Sequence, residues 1–158
     1  MAHLLFRAAW VCRFRMLDGE DFVMDLQKLI DAMNDASFGA RSNYHMTLGK
    51  MIGFLSAASP DLPVSYADGK SPGRAVSYRG YYSDLSFSDS ADAVTAVQFL
   101  FSCSQHLGKV FEGYKGGNYT MREDTPLWRS EYGSASGIAI MDAVETDGRI
   151  LLVTKKVD

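Results

Sequence analysis

The chain has 158 residues and a mass of 17.4 kDa, which is the size of one domain. Its formal net charge of −3 argues against binding to long nucleic acid, because that needs a strongly basic surface. An apolar fraction of 47% and a charged fraction of 22% are ordinary for a globular fold. No apolar run approaches the roughly 20 residues of a membrane span, so no membrane partner is expected.

The cysteines indicate the cellular compartment, and the N-terminal segment indicates where the core fold begins. Cys12 and Cys103 are far apart and lack a CxxC companion, so neither a zinc site nor a disulfide framework is expected. A reducing cytoplasm is therefore the simpler location. Further methionines at Met16 and Met24 lead us to interpret residues 1–23 as an extension outside the core fold, and residues 24–158 as a single domain.

Apolar stripes predict two helices in the first third of the chain. Leucine, isoleucine and methionine recur at helical spacing over residues 26–33, and this helix is expected to end near Asn34. Residues 37–45 have no period and predict a loop. Thr47 is a plausible cap for a second helix over residues 48–55, and the two stripes suggest a helical hairpin.

The middle of the chain predicts two short strands and a third helix. The strands are expected over residues 64–66 and 77–82. A wide apolar stripe over residues 93–107 predicts the helix, with candidate caps at residues 88–90. Gly108 is a suitable helix stop.

The last third predicts strands joined by turns. The run 118–122 is expected to be a strand with Asn118 and Thr120 on one face and Tyr119 on the other. Pro126 limits the following segment to an edge strand or a loop end.

Asp147 and Gly148 are a strong hairpin signal between the apolar runs 138–144 and 150–154. The whole pattern predicts an α+β domain with a mainly antiparallel sheet packed with about three helices.

Tyrosines next to glycines and single basic residues give the main functional signal. Six of the eight tyrosines lie between Tyr78 and Tyr132. Aromatic faces can stack a nucleotide base, and an arginine can pair with its phosphate. The competing interpretation is a tyrosine-rich strand that packs on helices, with Gly80 as a bulge. The candidate ligand-binding residues of this first segment are Tyr78, Arg79, Tyr81 and Tyr82.

A second glycine-rich segment begins at Gly113. Adjacent glycines allow backbone N–H groups to approach an anion, and a lysine adds positive charge. The spacing is not that of a Walker A loop, so nucleoside triphosphate hydrolysis is not supported. The alternative is a plain hairpin turn. The candidate binding residues are Tyr114, Lys115, Gly116, Gly117, Asn118, Tyr119 and Thr120.

Two smaller groups complete the candidate site. Arg41 and Asn43 lie beside His45, which is an alternative general base, although an exposed loop histidine is the simpler interpretation. Asp124 could accept from a ribose and Trp128 could stack, or they could be a turn residue and a core residue. Three scattered histidines predict no metal site, and no cofactor is expected.

The ordered motifs YRGYYSDLSF, GYKGGNYTM, EDTPLW and EYG, preceded by MTLGKMIGFL, resemble a group of small bacteriophage-encoded accessory proteins. The resemblance covers residues 24–156. It implies an anti-defence role in the cytoplasm of an infected bacterial cell. One such role is to sequester a cyclic oligonucleotide or an ADP-ribose-type immune signal without cleaving it.

We therefore expect a homo-oligomer that binds a small nucleotide and has no catalytic apparatus. The excess of tyrosine and methionine favours oligomerisation, because these residues are enriched at interfaces. Two alternatives remain open at this point. One is an enzyme that degrades such a nucleotide with His45 as general base, and the other is a protein–protein inhibitor of a host factor.

Overall fold

The structure is a computed structural model that describes residues 11–15, 21–114, 116–130 and 137–157. The chain divides into two compact units, Met1–Gly39 and Ala40–Asp158. In the first unit, strands β1 (Val11–Arg15) and β2 (Asp21–Asp25) pair antiparallel. The boundary expected after residue 23 stays a prediction.

The first helix is longer than its apolar stripe. Helix α1 spans Leu26–Tyr44, so the loop predicted over residues 37–45 is wrong. Nothing in that segment breaks a helix, and Arg41 in its last turn suits the helix dipole. The backbone N–H of His45 still donates to the carbonyl of Arg41, at 2.8 Å, so the helix ends only where the chain must join the sheet.

The other two helices follow local signals. Helix α2 spans Leu48–Ala57, and the predicted Thr47 cap accepts from the N–H of Lys50. Helix α3 spans Ala96–His106 and is capped by Thr95 through a capping box with Gln98, not by residues 88–90, which belong to a strand. Helix α2 packs against α3, and the helical hairpin expected of the first two stripes stays a prediction. Gly108, at φ 80°, is the expected stop.

Seven strands form one mixed, mostly antiparallel sheet, which confirms the α+β class. The order is β4-β5-β9-β10-β11-β3-β6, and only the pairs β5–β9 and β11–β3 are parallel. The strands are β3 (Pro63–Tyr66), β4 (Ser71–Tyr78), β5 (Tyr81–Ser90), β6 (Val94–Thr95), β9 (Leu127–Ser130), β10 (Ile138–Thr146) and β11 (Arg149–Lys156). A separate hairpin joins β7 (Val110–Glu112) and β8 (Asn118–Thr120).

Two strand predictions need correction. The run 77–82 is not one strand, because Arg79 and Gly80 form the turn between β4 and β5. Strand β9 is not an edge strand, because it lies between β5 and β10. Pro126 is compatible with this position since it precedes the strand, where its missing N–H costs no ladder bond.

Both faces of the central strands are covered. In β9, Leu127 packs in the main core with Leu85 and Phe87, beneath α2 and α3. The next side chain, Trp128, lies on the opposite face and packs with Tyr78. This second face contains the candidate site.

Candidate functional site

A buried carboxylate organises the second face of the sheet. Asp84 is fully buried in β5 and receives a bidentate contact from Arg41, with Nε at 2.8 Å and Nη2 at 3.1 Å. The indole Nε1 of Trp128 also donates to Asp84, at 2.9 Å, and the hydroxyl of Ser83 donates at 3.0 Å. A buried charge with this many donors is satisfied rather than reactive.

The predicted stacking residues of the first segment pack mainly on one another. Tyr78 and Trp128 are buried and parallel, with ring centroids 4.2 Å apart and planes 6° apart. Their faces are therefore occupied by each other. Tyr81 is partly exposed, and the Arg41 guanidinium carbon lies 3.6 Å from its ring centroid. Tyr81 and Asp84 thus hold the same guanidinium from two sides.

His45 is buried and not in an exposed loop, contrary to the simpler interpretation of the sequence. The residue is 6% exposed. Its ring lies edge-on to that of Trp128, with the two ring centroids 4.7 Å apart. Its Nδ1 is buried and has no hydrogen-bond partner among the described residues. Burial lowers the pKa of His45 from its ordinary value of 6.5, Asp84 opposes this shift and Arg41 adds to it. The imidazole is therefore neutral near pH 7.

The position of His45 is fixed by the backbone that follows it. Met46 lies between β9 and β10: its N–H donates to Ile140 at 2.9 Å and its carbonyl accepts from Leu127 at 3.0 Å. The chain after α1 is thus bonded to both strands. This arrangement holds His45 against the sheet.

A cavity of about 300 Å³ lies beside this network. Three elements build it: the end of α1, a bulge in β10 and the end of β11. Its lining consists of Ala40, Arg41, Tyr44, His45, Met141, Lys155 and Val157.

The lining residues converge for local geometric reasons. Arg41 and Tyr44 are three residues apart in α1 and share one helix face. The register of β10 shifts between Ile140 and Asp142, so Met141 lies at a bulge, a feature that redirects side chains near binding sites. Lys155 and Val157 are two residues apart and share one side of the extended chain.

The charge of the cavity wall is positive. None of the described residues that line it is acidic. The charge of Arg41 is compensated by Asp84 beneath it. Lys155 is exposed and forms no ion pair with any residue in the described part of the chain. An anion with a carbon-rich body is the ligand that this wall would accept.

The glycine-rich segment meets the first tyrosine segment elsewhere. The Tyr82 and Tyr119 rings lie 5.7 Å apart, and a Cβ on Gly113 would lie 2.8 Å from the Tyr119 ring. Tyr114 is 90% exposed, whereas Lys115 is outside the described residues. Also exposed are Gly116, Gly117, Asn118 and Thr120.

The remaining candidates lie outside the cavity lining. Arg79 and Asn43 are exposed. Asp124 pairs with Arg122 at 3.1 Å, and its backbone carbonyl accepts from Ser42. Of the residues predicted from the sequence, the cavity brings together Arg41 and the alternative His45. The cavity lining also contains residues that were not predicted from the sequence, among them Tyr44, Met141, Lys155 and Val157.

A second ionic cluster lies at the other end of β5 and β9. Arg129 donates to Asp89 at 2.7 Å and to Asp68 at 2.6 Å, and Lys70 contacts Asp89 at 3.0 Å. The hydrogen bonds from Arg129 lower the pKa of both aspartates. The guanidinium carbon lies 4.2 Å from the ring centroid of the buried Tyr66. We interpret this cluster as structural.

Within the described ranges, no group of three or more histidine, cysteine or acidic side chains is arranged to hold a metal ion. No described helix combines the length and the apolar character needed to cross a bilayer.

No protein-family model matches the chain, and neither a curated protein nor a solved structure matches it.

Proposed function

We propose that the protein binds and sequesters a small nucleotide-type signal without cleaving it, and that it serves a bacteriophage against a host defence. The observation that carries the binding proposal is the cavity whose described wall contains Lys155 and an Arg41 paired with Asp84, but no acidic residue. The resemblance to phage accessory proteins supports the biological setting, the cytoplasm of an infected cell.

The shape and chemistry of the cavity favour a small ligand with a flat ring. Its volume of about 300 Å³ is at the low end of the usual range for ligand sites, about 300–1,000 Å³. Tyr44 provides an aromatic ring at an exposed part of the wall, and Met141 and Val157 provide apolar surface. Lys155 provides the cation that a phosphate would need.

Sequestration is favoured over cleavage because the polar groups lack the connections of a catalytic pair. A general base usually has a partner that orients its ring. The Nδ1 of His45 has none among the described residues, and the nearby Asp84 is bonded to Arg41 and Trp128. The part of the cavity wall that the structure describes contains no acidic residue that could protonate a leaving group.

A thermal-shift and mass-spectrometry experiment tests the proposal. Ligand binding raises the melting temperature by an amount set by concentration over Kd. We expect a shift from at least one small nucleotide at millimolar concentration, and release of the ligand with unchanged mass after heating. A panel of nucleosides, mono- and dinucleotides, cyclic oligonucleotides and ADP-ribose that produces no shift would refute it.

Hydrolysis with His45 as general base is the second candidate. The neutral imidazole in the cavity wall favours it, because a base must be unprotonated at working pH. This function predicts a ligand of changed mass after incubation, and loss of that change in His45→Gln.

We also propose that the protein forms a homo-oligomer. The exposed side chains of Val97 and Phe101 on one face of α3 support an interface. Light scattering should give a mass that is a multiple of the 17.4 kDa chain. A monomer at all concentrations would contradict this part of the proposal and leave the binding proposal intact.

A further inference from the structure

We infer that the cavity selects a single nucleotide unit with one negative charge, the chemistry of a 3′,5′-cyclic mononucleotide. This inference rests on the proposed function and narrows its ligand class. It follows from the balance of charge on the cavity wall and from the volume of the cavity.

Arg41 contributes little net charge to the cavity. Its guanidinium is bonded to the fully buried Asp84 through two nitrogens and lies on the ring of Tyr81. The bound carboxylate cancels most of the electrostatic field of the guanidinium. The pair can orient a polar group of a ligand, but it does not balance a second negative charge.

His45 does not provide the missing charge near neutral pH. Its ring is buried, its Nδ1 is unpartnered in the described part of the chain, and the Arg41 cation lies on the same cavity wall. Burial is the main factor that disfavours a protonated imidazole; Asp84 opposes this effect and Arg41 adds to it. The groups that act on it electrostatically are Arg41 and Asp84, which form a neutral pair.

Among the described lining residues, Lys155 is therefore the one cation without a bonded carboxylate. One ammonium group matches the single negative charge of a cyclic phosphodiester. A pyrophosphate or triphosphate chain would bring charges that this wall does not balance, and desolvating them would cost binding free energy. Phosphate sites for such chains normally use several donors from a helix N-terminus or a glycine-rich loop.

The volume leads to the same ligand class. A cavity of about 300 Å³ has room for a ligand at the small end of the usual range. A cyclic dinucleotide or ADP-ribose contains two nucleoside-sized parts, so one part would lie outside. The apolar side chains of Met141 and Val157 and the Tyr44 ring would then have contact with only half of the ligand.

Isothermal titration calorimetry with a matched ligand panel tests this inference. The panel contains the 3′,5′-cyclic mononucleotides of the four RNA bases, the corresponding nucleosides and triphosphates, a cyclic dinucleotide of each purine and ADP-ribose. We expect at least one cyclic mononucleotide to bind about tenfold or more tightly than its nucleoside and its triphosphate. Tighter binding of a triphosphate, a cyclic dinucleotide or ADP-ribose would overturn the inference while leaving the proposed function standing. No binding by any member would overturn both.

Adjacent lysines of β11 provide a matched pair of variants. Lys155→Met removes the cation that lines the cavity, and Lys156→Met removes one from the next residue, which is exposed and not part of the lining. Lys155→Met should weaken cyclic mononucleotide binding about tenfold, leave nucleoside binding unchanged, and be rescued in part by Lys155→Arg. Lys156→Met should change neither. An equal loss in both variants, or none in Lys155→Met, would contradict the role of Lys155.

Discussion

Two arginine–aspartate clusters lie on opposite faces of β5 and β9. In the first, Arg41 meets one fully buried carboxylate, Asp84, and lies on the ring of Tyr81. In the second, Arg129 meets two carboxylates and lies on the ring of Tyr66. The residue types are nearly the same, but their surroundings differ.

The two clusters differ in how their arginines are balanced and in what lies beside them. Arg129 contacts both Asp68 and Asp89, so its charge is overcompensated locally, and Lys70 balances the excess. Arg41 is bonded to the buried Asp84, and it borders a cavity together with His45, whose Nδ1 has no hydrogen-bond partner among the described residues. The first cluster borders a cavity, whereas the second joins the segment between β3 and β4 to β5 and β9.

The largest effect that separates the clusters is expected from Asp84→Ala. This change removes the Asp84 carboxylate from a largely buried guanidinium and a buried indole N–H, and should cost about 3–5 kcal/mol of the free energy of unfolding. Urea denaturation at pH 7 measures it. Asp92→Ala, at an exposed aspartate, is the control and should change stability by less than about 0.5 kcal/mol. A loss below about 1 kcal/mol for Asp84→Ala would show that the buried network is not formed as described.

A smaller effect is expected from the second cluster. Asp89→Ala removes two contacts to Arg129 and one to Lys70, and should cost about 1.5–3 kcal/mol. The matched variant Asp68→Ala should cost less than about 1 kcal/mol, because Asp68 is 47% exposed and solvent screens its contact. The same denaturation experiment ranks the two. If Asp68→Ala were the more damaging, the description of Asp89 as the main partner of Arg129 would be wrong.

The smallest effect is a difference in pH dependence. Burial lowers the folded-state pKa of His45 below 6.5, so the unfolded chain binds the proton first and stability falls as pH drops below about 6.5. Arg129 lowers the pKa of Asp68 and Asp89 below 3.8, so their contribution is present above about pH 4 and is lost as pH falls further.

Two variants separate these pH ranges. His45→Leu should flatten the stability profile between pH 7 and pH 5 and leave the steeper acid part unchanged. Arg129→Met should flatten the part below about pH 4 only. Unfolding free energies measured from pH 7 to pH 3 check both expectations. A His45→Leu profile identical to that of the unmodified chain would contradict the buried, neutral state of this histidine.

Features with local causes could be predicted from the residues alone. The Thr47 cap and the stripe of α2 lie within one short segment, as do Asp147 and Gly148, whose φ values of 50° and 70° form the expected tight turn. The strand faces of Asn118 and Tyr119 were also correct, because alternation needs only neighbouring residues. The class of the fold follows from the order of such segments.

The candidate site could be predicted only in part because its contacts connect distant segments. Asp84 bonds to residues that are 43 and 44 positions away in the chain, and no periodicity marks such partners. An ion pair with Asp84 holds Arg41 at the end of α1. Such a contact leaves no apolar stripe in the sequence, so the end of the helix was not predicted. Trp128 and Tyr78 were grouped with ligand-stacking residues because the sequence does not show that their faces cover each other.

Hydrophobic spacing, caps and turn residues were thus enough to define an α+β chain, because each acts over one or two helical turns or a single hairpin. The parallel pairing of β5 with β9, the burial of His45 and the cavity beside Lys155 depended on the packing of segments far apart in sequence. The free energy of such contacts comes from long-range burial and charge pairing. These interactions exist only when the sheet has assembled, and they determine which of the many aromatic and basic residues border a ligand-sized space.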